Sequence, residues 1–206
     1  MVKEIRIYIE GGGKGSDTKA AVRTGFSGFL EPARKIARER GIRWNIIACG
    51  PRLVAFDKFK SALDAHPHAC NILLVDAEAA VSRSPWDHLR DRDGWDSGEV
   101  ADEQCHLIVQ MVEAWLIADP ERLAEYYGSG FQASALPSRR DVEGIEKKKV
   151  LSGLERATQK TKKGRYHKIQ HCPDLLTRVR PEVVRRRAKH CDRLWITLER
   201  LILSSG

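Results

Sequence analysis

Apolar positions fall along this chain in two rhythms, and the alternation between them predicts its elements. Compact apolar runs occur at 3–10 (Lys-Glu-Ile-Arg-Ile-Tyr-Ile-Glu), 42–49 and 71–76. Runs this short, bounded by glycine, proline or polar residues, predict buried strands. Between them apolar residues recur at helical spacing. Val22, Phe26, Phe29, Leu30, Ala33 and Ile36 mark one helical stretch over 18–40, and 51–65 forms another. Pro32 predicts a split or kink in the first stretch and Gly41 its stop. Strand–helix–strand–helix–strand is the order of a parallel sheet covered by helices.

Beyond the third strand the rhythm weakens. Residues 82–103 carry Asp87, Asp91, Asp93, Asp96, Glu99, Asp102 and Glu103 around Trp86 and Trp95. With no core periodicity, they predict a long, partly ordered acidic loop. A fourth strand is expected at 105–111, running into a helix at 113–118. Asp119-Pro120 reads as an N-cap and first helical position opening 121–127. A linker at 128–140 precedes a helix at 141–158, a basic loop at 161–168 and helices at 174–179 and 181–203. In the last of these, Val184, Ala188, Cys191, Leu194, Trp195 and Leu198 share one stripe and predict packing on a core. The expected fold is therefore α/β: a mostly parallel sheet of about four strands flanked by helices at 1–128, with a basic helical region at 129–206 packed on it.

The chain has 206 residues, 42% hydrophobic and 31% charged, the composition of a globular protein with one domain or a domain plus subdomain. No run approaches the ~18–20 apolar residues that cross a membrane. The N-terminus leads straight into a strand rather than a signal peptide. Five cysteines without a Cys-x-x-Cys pair read as reduced, buried thiols. Together these features give a cytoplasmic expectation.

Charge adds a partner. Net charge is +8, but residues 139–206 hold 19 Lys+Arg against 8 Asp+Glu, while the remainder is mildly acidic. A basic third points to a polyanion, nucleic acid first, or else to a solvated helical face. Within it Lys162, Lys163, Arg165, Tyr166 and Lys168, with His167 and His171, form a basic, partly aromatic cluster. Lysines there would grip phosphate and Tyr166 would stack a base; an ordinary surface loop is the alternative.

The candidate chemistry lies at strand ends. Glu10 closes the first strand and precedes three glycines; Asp76 closes the third, with Glu78 two residues on. Open α/β sheets bind ligands at the carboxyl ends of their strands. In extended backbone, positions i and i+2 share a face, so Asp76 and Glu78 can reach one ion. Carboxylates gathered there suit a hard divalent cation such as Mg²⁺. Glu113 begins a helix just past the fourth strand and is either a further site acid or a helix-terminal charge. His106 is either a hydrogen-bonded core residue or a site residue. Gly11-Gly-Gly-Lys-Gly-Ser-Asp-Thr fails as a Walker loop, because Lys14 is followed by glycine and Tyr8 stands where the first glycine belongs. The turn, with Lys14, still exposes backbone amides to a phosphate, or is simply a tight connection.

Several segments resemble one bacterial family. These are Ile-Glu-Gly at 9–11, Leu-Val-Asp-Ala-Glu at 74–78, Gly-Arg-Tyr-His-Lys-Ile-Gln-His at 164–171, Ala-x-x-Cys-x-x-Leu at 188–194, and above all His-Leu-Ile-Val-Gln-Met-Val-Glu-Ala-Trp-Leu-Ile-Ala-Asp-Pro at 106–120. They resemble the domain-of-unknown-function family DUF4276, over nearly the whole chain. That family is similar to Toprim domains, found in topoisomerases, primases and the overcoming-lysogenization-defect nucleases.

The resemblance implies a Toprim-like fold and Mg²⁺- or Mn²⁺-dependent phosphodiester chemistry. It places Glu10 as the glutamate after strand one, and Asp76 and Glu78 as the acid pair after strand three, the three acting as metal ligands. Glu78 departs from the usual aspartate by one methylene. Glu113 would be a further acid found in related nucleases. No topoisomerase tyrosine segment or primase zinc module is apparent, which favours a nuclease, in the setting of anti-phage defence and with an ATPase as partner. The alternatives are a non-catalytic nucleic-acid-binding or ATPase-adaptor subunit, and a phosphohydrolase or phosphotransferase for small nucleotides.

Overall fold

The computed structural model describes residues 2–204, so the outer ends of the predicted 1–128 and 129–206 segments lie outside the described residues. Four strands, β1 (Glu4–Glu10), β2 (Arg43–Gly50), β3 (Cys70–Asp76) and β4 (Cys105–Ile108), form one all-parallel sheet in the order β2-β1-β3-β4. This is the predicted class. The order changes direction between β1 and β3, and the crevice beyond those two strand ends is where doubly wound sheets bind ligands.

Alternation along the strands sorts side chains onto two faces. Ile5, Ile7, Ile9, Ile72 and Leu74 enter the larger core, while Tyr8, Leu73, Val75 and Leu107 enter the smaller one. Both faces are covered, which explains why β1 and β3 read as nearly continuous apolar runs. The smaller face is closed by α3 (Arg52–Ala65) and α4 (Pro85–Asp93), through Phe59, Trp86 and Leu89. The larger face carries α1 (Ser16–Phe29), α2 (Glu31–Glu39), α5 (Glu113–Ile117) and α6 (Pro120–Tyr127). The same side is completed by α7 (Lys147–Thr158), α8 (Lys168–Leu176), which packs on α1, α9 (Pro181–Arg185), and α10 (Lys189–Leu203), which packs on β4. Leu154, Leu175 and Trp195 from that last group share one apolar cluster with the isoleucines of β1, so the core is continuous across residue 128. Among the described residues no helix is long and apolar enough to cross a membrane.

The predicted split near Pro32 falls at Leu30, with Pro32 in the first turn of α2 and Gly41 at φ +71° past its end. Five expectations are corrected. The acidic 82–103 segment contains α4, opened by Ser84, whose hydroxyl accepts the Asp87 amide, and closed by Gly94 at φ +69°. Its core signal is only Trp86 and Leu89, too short a stripe to stand out among so many aspartates. The fourth strand ends at Ile108 rather than 111, although Val109, Met111 and Val112 stay buried. The helix expected at 174–179 begins at Lys168 and carries Pro173 inside it, and the 181–203 helix breaks between Arg185 and Lys189. Asp119 does not cap α6 through its side chain; its buried carboxylate takes the Arg180 amide (3.0 Å) and guanidinium (2.7 and 2.9 Å).

His106 is a core residue. It is 1% exposed, with Nε2 3.0 Å from the Glu103 carbonyl and Nδ1 3.1 Å from the Arg193 guanidinium. Burial and the adjacent Arg193 push its pKa down to about 3. The unfolded chain takes up this proton near 6.5 while the folded one resists it, so the stabilisation is complete above ~6.5 and is lost as pH falls toward 3. Denaturant unfolding of wild type should weaken by up to ~1.4 kcal/mol per pH unit more steeply across that window than unfolding of His106→Gln. Parallel profiles would show that the imidazole protonates without cost.

Candidate active site at the carboxyl edge of the sheet

Glu10 and Asp76 are the last residues of β1 and β3, which are hydrogen-bonded neighbours. The Asp76 amide donates to Glu10 Oε2 at 3.2 Å. Arg52, the first residue of α3, reaches the same point. Its guanidinium donates to Glu10 Oε2 at 2.9 Å and to the Asp76 carbonyl, and forks onto Asp93 Oδ1 and Oδ2 at 3.1 and 2.7 Å. Trp95 lies under it, 5.0 Å from ring centroid to guanidinium. Sequence reasoning missed Arg52. The only available signal was its place directly after Gly50-Pro51 at a strand end.

A second layer stands behind Asp76. Glu113 opens α5 and is fully buried. Its Oε1 accepts the Tyr166 hydroxyl at 3.0 Å, while Oε2 makes no hydrogen bond and faces Lys168 Nζ at 3.6 Å. The same ammonium lies 3.7 Å from Asp76 Oδ2, so the first residue of α8 bridges two acids that are 37 positions apart in sequence. Burial works against the Lys168 charge, but Glu113 and Asp76 outweigh it and raise its pKa.

Glu78 joins by a different geometry from the extended one expected. It sits at φ +64°, the left-handed region that costs a residue with a Cβ, with its amide on the Gln110 carbonyl at 2.9 Å. The chain therefore turns after Asp76, and the shared-face argument for positions 76 and 78 does not hold. Both residues nevertheless line one cavity, and the Glu78 carboxylate pairs with Lys147 of α7.

The glycine turn borders the same space. Gly11, Gly12 and Gly13 have φ of +135°, +86° and +54°, and a Cβ on Gly12 would come within 2.7 Å of the Lys19 backbone. The Thr18 hydroxyl binds the Gly12 carbonyl and pins the turn against α1. The cavity so enclosed measures about 620 Å³. Glu10, Asp76, Glu78, Lys14 and Lys168 all line it; Lys162, Lys163, Arg165 and Tyr166 do not. Lys163 instead lies over the Tyr126 ring at 4.6 Å, and Arg165 reaches Glu155 at 3.7 Å. Tyr166 is 7% exposed with its hydroxyl on Glu113, so it presents no free face to a base. Its neighbour His171 is likewise buried, Nδ1 accepting from the His167 amide at 3.1 Å and lying 3.0 Å from the Tyr127 hydroxyl.

The electrostatics are those of crowded acids. Burial pushes the Asp76 carboxyl up to about 7; Lys168 opposes this, while Glu10, Glu113 and Glu78 add to it. Burial also raises Glu10, against the pull of Arg52. Among the described residues no three Asp, Glu, His or Cys side chains stand together as a ready cage for a metal. In donor type the acids suit a hard divalent ion, and burial, with the neighbouring acids adding to it, raises Asp76 despite Lys168. The residues fit such an ion by their oxygen donors.

The model of the family described as "Domain of unknown function (DUF4276)" matches residues 9–199, from the residue before Glu10 into α10. The chain belongs to the DUF4276 family. Neither curated proteins nor solved structures yield a match. The match takes in every lining acid and lysine of the DUF4276 cavity, and Arg52, Glu113 and Tyr166 as well.

Two outcomes test this geometry. The unfolded chain ionises Asp76 near 3.8 and the folded chain near 7, so the folded state holds the extra proton between those values and loses stability as pH rises through them. With a chelator present, Asp76→Asn should be more stable than wild type at pH 8, by on the order of 2–4 kcal/mol, and the gain should vanish toward pH 4. A variant no more stable at pH 8 would mean the carboxylate is well compensated. Tyr166→Phe removes a donor from a buried carboxylate and should lower unfolding free energy by ~1–3 kcal/mol in urea titration. A change near zero would place the Glu113 charge elsewhere.

Proposed function

We propose that this chain is a divalent-metal-dependent nuclease that cleaves phosphodiester bonds. The observation that carries the reading is the convergence of Glu10, Asp76 and Glu78 on one cavity at the β1/β3 switch point, beside a glycine turn and Lys14. The resemblance of these three acids to those of Toprim sites supports it. Glu10, Asp76 and Glu78 would hold Mg²⁺ or Mn²⁺, which supplies stabilisation of phosphoryl charge and an activated water.

The chain's own groups have distinct tasks in this reading. Arg52 fixes the Glu10 carboxylate toward β3. Lys168 holds Asp76 and Glu113 in register and places a positive charge where a phosphate oxygen would develop charge. Asp76, whose carboxyl is raised by burial in the empty site, would be held ionised by the bound cation. Lys14 borders the cavity. The basic 139–206 region, including Lys162, Lys163 and Arg165, guides the polyanion by charge. A role as a defence effector in the cytoplasm beside an ATPase partner belongs to the same proposal and rests on the family resemblance.

A second reading has its own observation. Every lining acid already faces a cation: Glu10 faces Arg52, Asp76 faces Lys168, and Glu78 faces Lys147. A non-catalytic nucleic-acid-binding or ATPase-adaptor subunit could keep such pairs as structure. The readings separate in a cleavage screen over DNA, RNA and nucleotides with Mg²⁺ or Mn²⁺. The nuclease reading expects metal-dependent cutting that falls at least ~100-fold in Glu10→Gln and Asp76→Asn, with binding retained. The adaptor reading expects salt-sensitive binding that needs the basic residues and ignores both acid substitutions. Variants that cut as well as wild type would remove the nuclease reading.

A further inference from the structure

The cavity has a second half that the acids do not use. Away from Glu10 and Asp76 its wall is apolar, built from Val22 and Phe26 of α1, Ile108 at the end of β4, and Ile169, Cys172 and Leu176 of α8. Ile169 is 61% exposed at the rim, a large apolar side chain left at the mouth of a charged site.

The packing of α1 on α8 sets the shape of this half. A Cβ on Gly25 would lie 2.9 Å from the Pro173 carbonyl oxygen, and one on Gly28 would lie 2.9 Å from Thr177 Cα. The two glycines thus bring the backbones into contact. Since 25 meets 173 and 28 meets 177, the helices run side by side in the same sense. Their N-terminal ends, Ser16 and Lys168, therefore lie at one end of the pair, beside the acids. Val22, three residues before Gly25, and Ile169, four before Pro173, line the same cavity with Cys172, so its apolar part forms a slot alongside the two helices. Lys168, the glycine turn and the amino end of α1 line the rest of the cavity.

This shape has consequences for what enters. With a divalent cation on the acids, the amino end of α1 and two lysines favour an anionic group at the polar end, and an apolar slot favours a flat ring next to it. The whole cavity, about 620 Å³, falls within the ~300–1,000 Å³ of small-ligand sites. An intact duplex offers only its phosphate backbone to such a recess, because its bases are stacked inside and must be extruded to enter a pocket.

We infer that the site takes its substrate as a single unpaired nucleotide unit, with the base in the slot alongside α1 and α8 and the phosphate at the acid and lysine end. This rests on the phosphodiester reading for the reaction, but the base-binding slot is testable without it. Val22 and Ile169 are then specificity-determining residues, and single-stranded segments or strand ends are the substrate class.

The decisive experiment is calorimetric titration of the full chain, with Mg²⁺ present, using adenosine 5′-monophosphate, ribose 5-phosphate and hexyl phosphate as probes. The nucleotide should bind at least tenfold more tightly than either other ester. Ile169→Gln, at an exposed position, and Val22→Gln, at a partly exposed one, should erase most of that difference while leaving ribose 5-phosphate affinity unchanged. Equal affinity for nucleotide and ribose 5-phosphate, or no binding of either, would overturn the slot. Hexyl phosphate binding as tightly as the nucleotide would overturn its specificity for a base. In cleavage assays, single strands should be cut at least tenfold faster than blunt duplex, and an abasic residue at the cut site should slow cutting by a similar factor. Duplex cut as fast as single strand would overturn the inference while sparing the nuclease reading. Base-dependent binding without cleavage of any substrate would keep the slot and remove the nuclease reading.

Discussion

The arrangement depends on keeping several carboxylates together in a crevice that is mostly withdrawn from water. Glu10 and Asp76 end adjacent strands and Glu113 is fully buried behind them. An isolated buried carboxylate is costly, and like charges in proximity add to that cost. Two cations from distant parts of the chain offset it: Arg52 joins Glu10 to Asp93, and Lys168 joins Asp76 to Glu113. Burial, with the neighbouring acids adding to it, still leaves the Asp76 carboxyl raised to about 7.

That electrostatic demand explains why the basic third is built into the molecule rather than attached to it. Lys168 can reach Asp76 only if α8 lies against α1, and Gly25 and Gly28 make the approach possible. Tyr166 serves the same end, its hydroxyl filling one side of Glu113 while its ring joins the core. Arg180 locks Asp119, and Arg187 reaches the Ala118 carbonyl at 2.8 Å, tying the start of α6 to the C-terminal helices. Much of the C-terminal basic charge is thus employed in internal contacts, and the exposed remainder, including Lys162 and Arg165, lies outside the cavity lining.

The acidic segment has a comparable internal role. Seven acids between 82 and 103 read as solvation of a loop, yet α4 uses Trp86 and Leu89 to close the smaller core and turns Asp93 toward Arg52. Trp95 completes the clamp, stacked on Phe56 at 4.4 Å and under the Arg52 guanidinium. This segment therefore orients the guanidinium that holds Glu10.

By itself the sequence determined the sheet, its helical cover and the place of Glu10 and Asp76. Strand runs buried on both faces and amphipathic helices carry their signal locally, and a parallel sheet presents its strand ends at one edge wherever the helices lie. The glycine turn was visible for the same reason, since positive φ at 11–13 requires glycine. Only the tertiary structure decided that Lys168, though half exposed, faces two acids, that Tyr166 is an internal donor, and that Arg52 belongs to the site at all. It also replaced the extended Asp76–Glu78 geometry with a left-handed turn at Glu78. Each of these depends on partners 24 to 92 residues away, such as Asp76 for the Arg52 guanidinium and for Lys168. Such pairings are fixed by helix packing on the sheet, a global outcome that no local pattern of polar and apolar residues encodes.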